Sequence, residues 1–164
     1  MARSSKPRHA AGNTARARPT RPAATLTTVR YIESSALVAA LLERDTTVRK
    51  RIPRGTQQVT SALTLAEAGR AIVRARTTGR LTTEEEQAAI RALGRFERRC
   101  FTLDVDRAVL ARVRRPFPVE PIRTLDAVHL ATVELLREAS TLVTIVTRDD
   151  RVRKNAEALG YVVE

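Results

Sequence analysis

Five short apolar runs, rich in β-branched residues and separated by stretches of helical character, constrain this chain more than any other feature. Val29–Ile32, Gln57–Thr60, Cys100–Val105, Leu142–Val146 and Tyr161–Val163 read as strands, and Leu142–Val146 is β-branched throughout apart from its first residue. Between them, Ser34 or Ser35 caps a helix from Ala36 to about Glu43, and Ser61 caps one reaching about Thr77. Thr82 or Thr83 opens a helix to about Arg99, with Glu84, Glu85 and Glu86 in the first turn where the helix dipole favours acids. Asp106–Arg114 is a short helix, Thr124 caps another to about Glu138, and Asp149 or Asp150 caps a last one that Gly160 stops. Arg49–Gly55, broken by Pro53 and Gly55, reads as a turn, and Arg115–Arg123, with three prolines, as a loop. Strands alternating with helices bury both faces of a parallel sheet. The expected fold class is therefore α/β: a three-layer α/β/α sandwich around a mostly parallel sheet of about five strands.

At 164 residues the chain has the size of one domain. Residues 1–28 differ in kind from the rest. They hold six basic side chains and no acid, and Leu26 is their only large aliphatic residue after Met1. An organellar transit peptide shares this composition, but the simpler expectation is a flexible basic tail preceding a domain over residues 29–164. The longest apolar run, Ala36–Leu42, falls far short of the ~20 residues of a membrane-spanning helix, so no membrane association is expected. A single cysteine, Cys100, excludes an internal disulfide and a cysteine-based zinc site. With only His9 and His129, nucleophilic Ser-His or Cys-His chemistry is poorly supplied, and the burden falls on carboxylates and hydroxyls.

In an open parallel sheet, ligands sit beyond the C-terminal ends of the strands, where the strand order reverses. Glu33 follows the first strand and Asp149 the most strand-like run. Glu67, within Leu65-Ala66-Glu67-Ala68, is an acid in an apolar stretch of helix, and Asp126 lies in the first turn of Thr124-Leu125-Asp126-Ala127-Val128-His129. A first-turn acid is ordinarily a cap, which accounts for Asp126, Asp149 and Asp150 individually, but not for Glu67 or Glu33. Several acids meeting at one sheet edge require a cation, and an oxygen-only set suits Mg²⁺ or Mn²⁺. A carboxylate-held hard cation on a protein of net charge +12 points to hydrolysis of a nucleic-acid phosphodiester.

Tyr31-Ile32-Glu33-Ser34-Ser35-Ala36-Leu37-Val38 resembles the opening hydrophobic-x-Asp-Thr/Ser-Ser-Ala-Leu motif of PIN domains. Leu65-Ala66-Glu67, Leu125-Asp126-Ala127-Val128-His129-Leu130-Ala131-Thr132 and Val146-Thr147-Arg148-Asp149 match the later acidic motifs in order, and Asn155–Val162 matches the closing helix and strand. The resemblance spans roughly Val29–Val163 and is nearest to VapC-type toxins of bacterial toxin–antitoxin pairs. It implies a cytoplasmic Mg²⁺- or Mn²⁺-dependent endoribonuclease whose acidic quartet is Glu33, Glu67, Asp126 and Asp149. Ser35 and Thr147 match hydroxyl positions that orient acids or water, with Asp150 beside them as a cap or an auxiliary ligand. It further implies an RNA substrate, a homodimer, and a VapB-type antitoxin that lays a segment across the acidic groove.

The first acid of the motif is usually Asp, and here it is Glu33. The added methylene shifts the carboxylate by a bond length, whereas Mg²⁺ demands near-ideal octahedral geometry, so weakened or Mn²⁺-selective activity is expected. A pocket degenerate enough to bind nucleic acid without cleaving it is the alternative. His129, three residues after Asp126, is expected to be a packed helix residue within reach of the site, and Cys100 a small core residue. With no Trp, two Tyr and three Phe, a base-stacking platform is not expected.

Overall fold

A computed structural model describes residues 28–43, 45–52, 57–136 and 138–164. Residues 1–27 of the expected tail and residues 53–55 of the expected turn lie outside the described residues. The strands are β1 (Val29–Ile32), β2 (Gln57–Ser61), β3 (Phe101–Leu103), β4 (Val143–Val146) and β5 (Val162–Val163). They form one sheet in the order β3-β2-β1-β4-β5, and every pairing is parallel. The order reverses between β1 and β4, whose registers run Val29↔Val143 through Ile32↔Val146. Glu33 N–H donates to the Val146 carbonyl at 3.0 Å, so the ladder runs up to the first acid.

Alternation along the strands supplies two cores. Val29, Tyr31, Val143 and Ile145 face Val109, Leu130 and Ala131, whereas Ile32 and Val146 face Ala36, Leu37, Ala68 and Phe96. Each fully buried Val, Leu, Ile or Phe contributes about 1.5–3 kcal/mol, and the two apolar sets sandwich the sheet as three layers. The helices are α1 (Ser34–Leu42), α2 (Thr46–Arg51), α3 (Ala62–Thr77), α4 (Thr83–Glu97), α5 (Arg107–Val113), α6 (Thr124–Glu134) and α7 (Asp150–Ala158). Ser61 caps α3 as expected, and Thr82 with Glu85 makes a reciprocal capping box on α4.

Several boundaries differ from expectation, each for a local reason. Neither Ser34 nor Ser35 caps α1; Glu33 does, its carboxylate accepting from Ser35 N–H, so the helix begins two residues earlier than Ala36. The expected turn from Arg49 is preceded and partly replaced by α2, because the Asp45 carboxylate accepts from Thr47 and Val48 N–H and nucleates a helix. Thr124 lies inside α6 rather than capping it; Arg123 is the N-cap and makes no side-chain cap bond. The same helix stops at Glu134 instead of about Glu138, with Leu135 N–H donating back to Ala131. Strands β3 and β5 are shorter than the runs that suggested them, since only Phe101–Leu103 and Val162–Val163 find partners. Asp149, not Asp150, caps α7, leaving Asp150 exposed in its first turn. No helix among the described residues is long and apolar enough to cross a membrane.

Candidate active site

The reversal point of the sheet brings the ends of β1 and β4 side by side, and Glu33 follows the first of them. Its carboxylate is buried at 3% exposure, where an unpaired charge would be prohibitive. The sequence supplies its donors. Ser34 Oγ donates to Oε1 at 2.6 Å, while Oε2 accepts from Ser35 N–H at 3.0 Å, from Ser35 Oγ, and from Thr147 Oγ1 at 2.8 Å. Thr147, just past β4, also accepts from Asp149 N–H at 3.0 Å, and Ser35 Oγ accepts from Arg148 N–H at 2.8 Å. Hydroxyls thus lock the turn after β4 to the start of α1, which fixes where Asp149 stands. With three donors on Oε2, Glu33 has only Oε1 left to offer a further ligand.

Glu67, on α3, leans towards the same point. Its Oε2 lies 2.8 Å from His129 Nε2, and that nitrogen is 3.6 Å from Glu33 Oε1. One ligand atom from each of Glu33, Glu67 and His129 lies within 4.8 Å of the others. Burial pushes the Glu67 carboxyl up, but hydrogen bonds from His129 and Ser34 outweigh it and hold the group below the usual carboxylate range.

Asp126 and Asp149 do not join that tight group of three, but Asp126 feels the charges of both Glu33 and Asp149. Burial, the Asp149 charge and the Glu33 charge together push the Asp126 carboxyl up, against the opposing pull of Arg123. Asp126 Oδ2 is buried and has no hydrogen-bond partner among the described residues. An orphaned carboxylate oxygen among like charges is the arrangement a bound cation would relieve, so the donor set fits a hard divalent ion. Asp149 contributes less freely, since Oδ1 accepts from Arg151 and Val152 N–H as the α7 cap, leaving Oδ2. Asp150 makes no contact with this set among the hydrogen bonds of the described residues.

A cavity of about 520 Å³ lies beside Glu67 and is lined also by Ser34, Ser35, Glu43, Arg74 and Arg80. Arg74 and Arg80 near Glu67 suit a polyanion drawn towards the acids. The histidine is the residue that sequence reasoning undervalued. It is packed as expected, at 2% exposure, yet it also reaches two of the four acids; its i+3 spacing from Asp126 was the available signal.

The PIN domain family profile matches residues 30–158. The chain belongs to the PIN-domain family. It is 35% identical over 138 residues to Ribonuclease VapC35 of Mycobacterium tuberculosis, covering 81% of this chain and 93% of that protein. It is 36% identical over 135 residues to Ribonuclease VapC46 of the same species, covering 81% and 94%. Among solved structures it resembles the crystal structure of VapBC2 from Rickettsia felis bound to a promoter DNA fragment, with a TM-score of 0.59 at 13% identity over 83% of this chain and 97% of that one. The structure of FitAB bound to the IR36 DNA fragment gives a TM-score of 0.60 at 18% identity, over 82% and 93%. At such identities these two likenesses speak for the PIN fold alone.

Proposed function

We propose that this PIN-domain protein is the toxin of a type II toxin–antitoxin pair, a Mg²⁺- or Mn²⁺-dependent endoribonuclease regulated by a VapB-type antitoxin and acting as a homodimer. The relationship to two ribonucleases of the VapC kind supports the activity. The observation that carries the metal requirement is Asp126, whose Oδ2 is buried without a partner among like charges.

Asp126 and the free oxygen of Asp149 would hold the ion, with Glu33 Oε1 and Glu67 completing the set directly or through water. When bound, the cation supplies Lewis-acid stabilisation of a phosphoryl oxygen and acidifies a water. The protein's own contribution is positional. Thr147 and Ser35 clamp Glu33 and set the backbone from which Asp149 projects. Arg74 and Arg80 balance phosphate charge along the cavity wall. The overall charge of +12 draws RNA to the surface.

The test is incubation of antitoxin-free protein with total RNA in Mn²⁺, Mg²⁺ or EDTA, beside Asp149→Asn. Asparagine caps a helix as well as aspartate, so that variant keeps α7 while losing the ligand charge. Discrete fragments formed by the wild type only with metal, and none from the variant, are expected. Metal-independent cleavage, or cleavage by the variant at the wild-type rate, contradicts the proposal. RNA retention without any cleavage identifies a binding module instead.

A further inference from the structure

Behind Glu67 a chain of polar groups runs into the apolar core, where nothing polar is needed for packing. Tyr31, in the middle of β1, is fully buried, and its Oη lies 3.0 Å from His129 Nδ1. The two rings meet edge to face, with centroids 6.3 Å apart and planes at 68°. The other ring nitrogen, Nε2, is the atom 2.8 Å from Glu67 Oε2. Hydrogen bonding from Ser61 and Thr64, at the start of α3, partly offsets the effect of burial on the phenol. The series runs from β1 through α6 to α3 at Glu67.

A phenylalanine at position 31 would fill the same space, so the hydroxyl answers to its partner rather than to volume. A carboxylate only accepts, so His129 Nε2, 2.8 Å from Glu67 Oε2, carries the hydrogen of that bond. The Tyr31 hydroxyl, 3.0 Å from Nδ1, is then placed to give its hydrogen to that nitrogen.

We propose that Tyr31 and His129 are positioning residues for Glu67: the Tyr31 hydroxyl fixes the His129 tautomer with hydrogen on Nε2, and that N–H anchors one Glu67 oxygen so that the other is presented to the cleft. Glu67 is the acid that most needs such an anchor. Its side chain is 27% exposed against 4% for Glu33, and it shares a single hydroxyl, Ser34, with Glu33, which Ser35 and Thr147 clamp besides. A carboxylate free to rotate there would pass through many orientations, of which few serve the reaction. The kinetic consequence rests on the ribonuclease reading above; the tautomer does not.

The chain has two histidines, so the ring nitrogens of His129 are assignable by comparison with a His9→Gln protein. Nitrogen-15 spectra of the full chain at neutral pH are expected to show hydrogen on Nε2 and a bare Nδ1 for His129, with the preference lost in Tyr31→Phe. RNA cleavage by Tyr31→Phe is expected to fall in kcat by roughly threefold to tenfold at unchanged KM, and by His129→Leu by roughly tenfold to a hundredfold. His129→Gln, which keeps a donor, recovers part of the loss. A role confined to packing would lower the melting temperature without moving the tautomer or favouring Gln over Leu. Hydrogen found on Nδ1, or Tyr31→Phe matching the wild type in both spectrum and kcat, overturns the inference. Should His129→Leu not fold, Tyr31→Phe decides the matter alone. If the wild type cuts no RNA, the ribonuclease reading fails, while the nitrogen spectra still establish or refute the tautomer.

Discussion

Replacing Asp126 with asparagine should make the metal-free protein more stable and the metal-loaded protein less so. In the wild type, Asp126 Oδ2 is buried without a hydrogen-bond partner among the described residues, and the charges of Asp149 and Glu33 act against it. A buried polar atom left unpaired costs about 1–3 kcal/mol, and asparagine keeps the shape while removing the charge. Part of that cost persists, because an amide also wants partners, so the expected gain in EDTA is about 1 kcal/mol, or a melting temperature higher by roughly 2–4 °C for a chain of this size. Saturating Mn²⁺ acts in the other direction. At a hundred times its dissociation constant a ligand stabilises the native state by about 2.7 kcal/mol, which should raise the wild-type midpoint by roughly 5–10 °C and leave Asp126→Asn nearly unmoved. The two melting curves should therefore exchange order when metal replaces chelator. The pH dependence has a definite sign. The folded protein holds the Asp126 proton more tightly than the unfolded chain, whose value is near 3.8. Protonation therefore favours the native state, and the advantage of Asp126→Asn in EDTA should shrink as the pH falls through the folded value towards 3.8. Circular-dichroism melts across that range suffice. A variant less stable than the wild type in EDTA, or equal stabilisation of both by Mn²⁺, refutes the reasoning.

Four further outcomes are expected. Thr147→Val strips Glu33 and Asp149 N–H of a shared hydroxyl in a fully buried position, so chemical denaturation should show a loss of about 1–3 kcal/mol, with cleavage reduced at least tenfold. Asn155→Ala frees Val119 N–H and C=O, which the buried amide pairs at 2.8 and 2.9 Å; a loss of about 2–3 kcal/mol and faster proteolysis within the proline-rich loop of residues 115–123 should follow. Glu164 is held below its ordinary value of 4.5 by the Arg30 guanidinium, so it contributes stability above that pH which is lost as the pH falls through the folded value; Glu164→Gln should flatten the acid limb of a stability–pH curve. Glu33→Asp, which shortens the crowded carboxylate by a methylene, is expected to raise cleavage in Mg²⁺ relative to Mn²⁺; an unchanged ratio in matched rate assays speaks against Glu33 as the source of metal preference.

Those effects fall unevenly on what the chain made legible. The alternation of β-branched runs with helices sufficed for the layered parallel sheet, because burial on both faces leaves a strand few other compositions. The placement of Glu33 and Asp149 at strand ends followed from the same pattern, and the structure brings those ends together at β1 and β4. Local capping was harder to read. Glu33 competes with Ser34 and Ser35 for one helix end, and propensity alone favours the serines, whereas the carboxylate wins because Ser35 and Thr147 satisfy it there. Likewise, Asp45 starts a helix in a stretch whose nearby proline and glycine suggest a turn. The i+3 spacing from Asp126 put His129 near the site, but its partners were not legible: Tyr31 and Glu67 are 98 and 62 residues away, and only the fold makes them neighbours.

The central claim is that acids from four distant segments serve one hard cation. Calorimetric titration of Mn²⁺ into the metal-free protein, beside Asp126→Asn and Asp149→Asn, tests it most directly. One ion per chain is predicted for the wild type, with both variants losing most of that affinity while remaining folded. Variants that bind Mn²⁺ as tightly as the wild type, or a wild type that binds none, would contradict it.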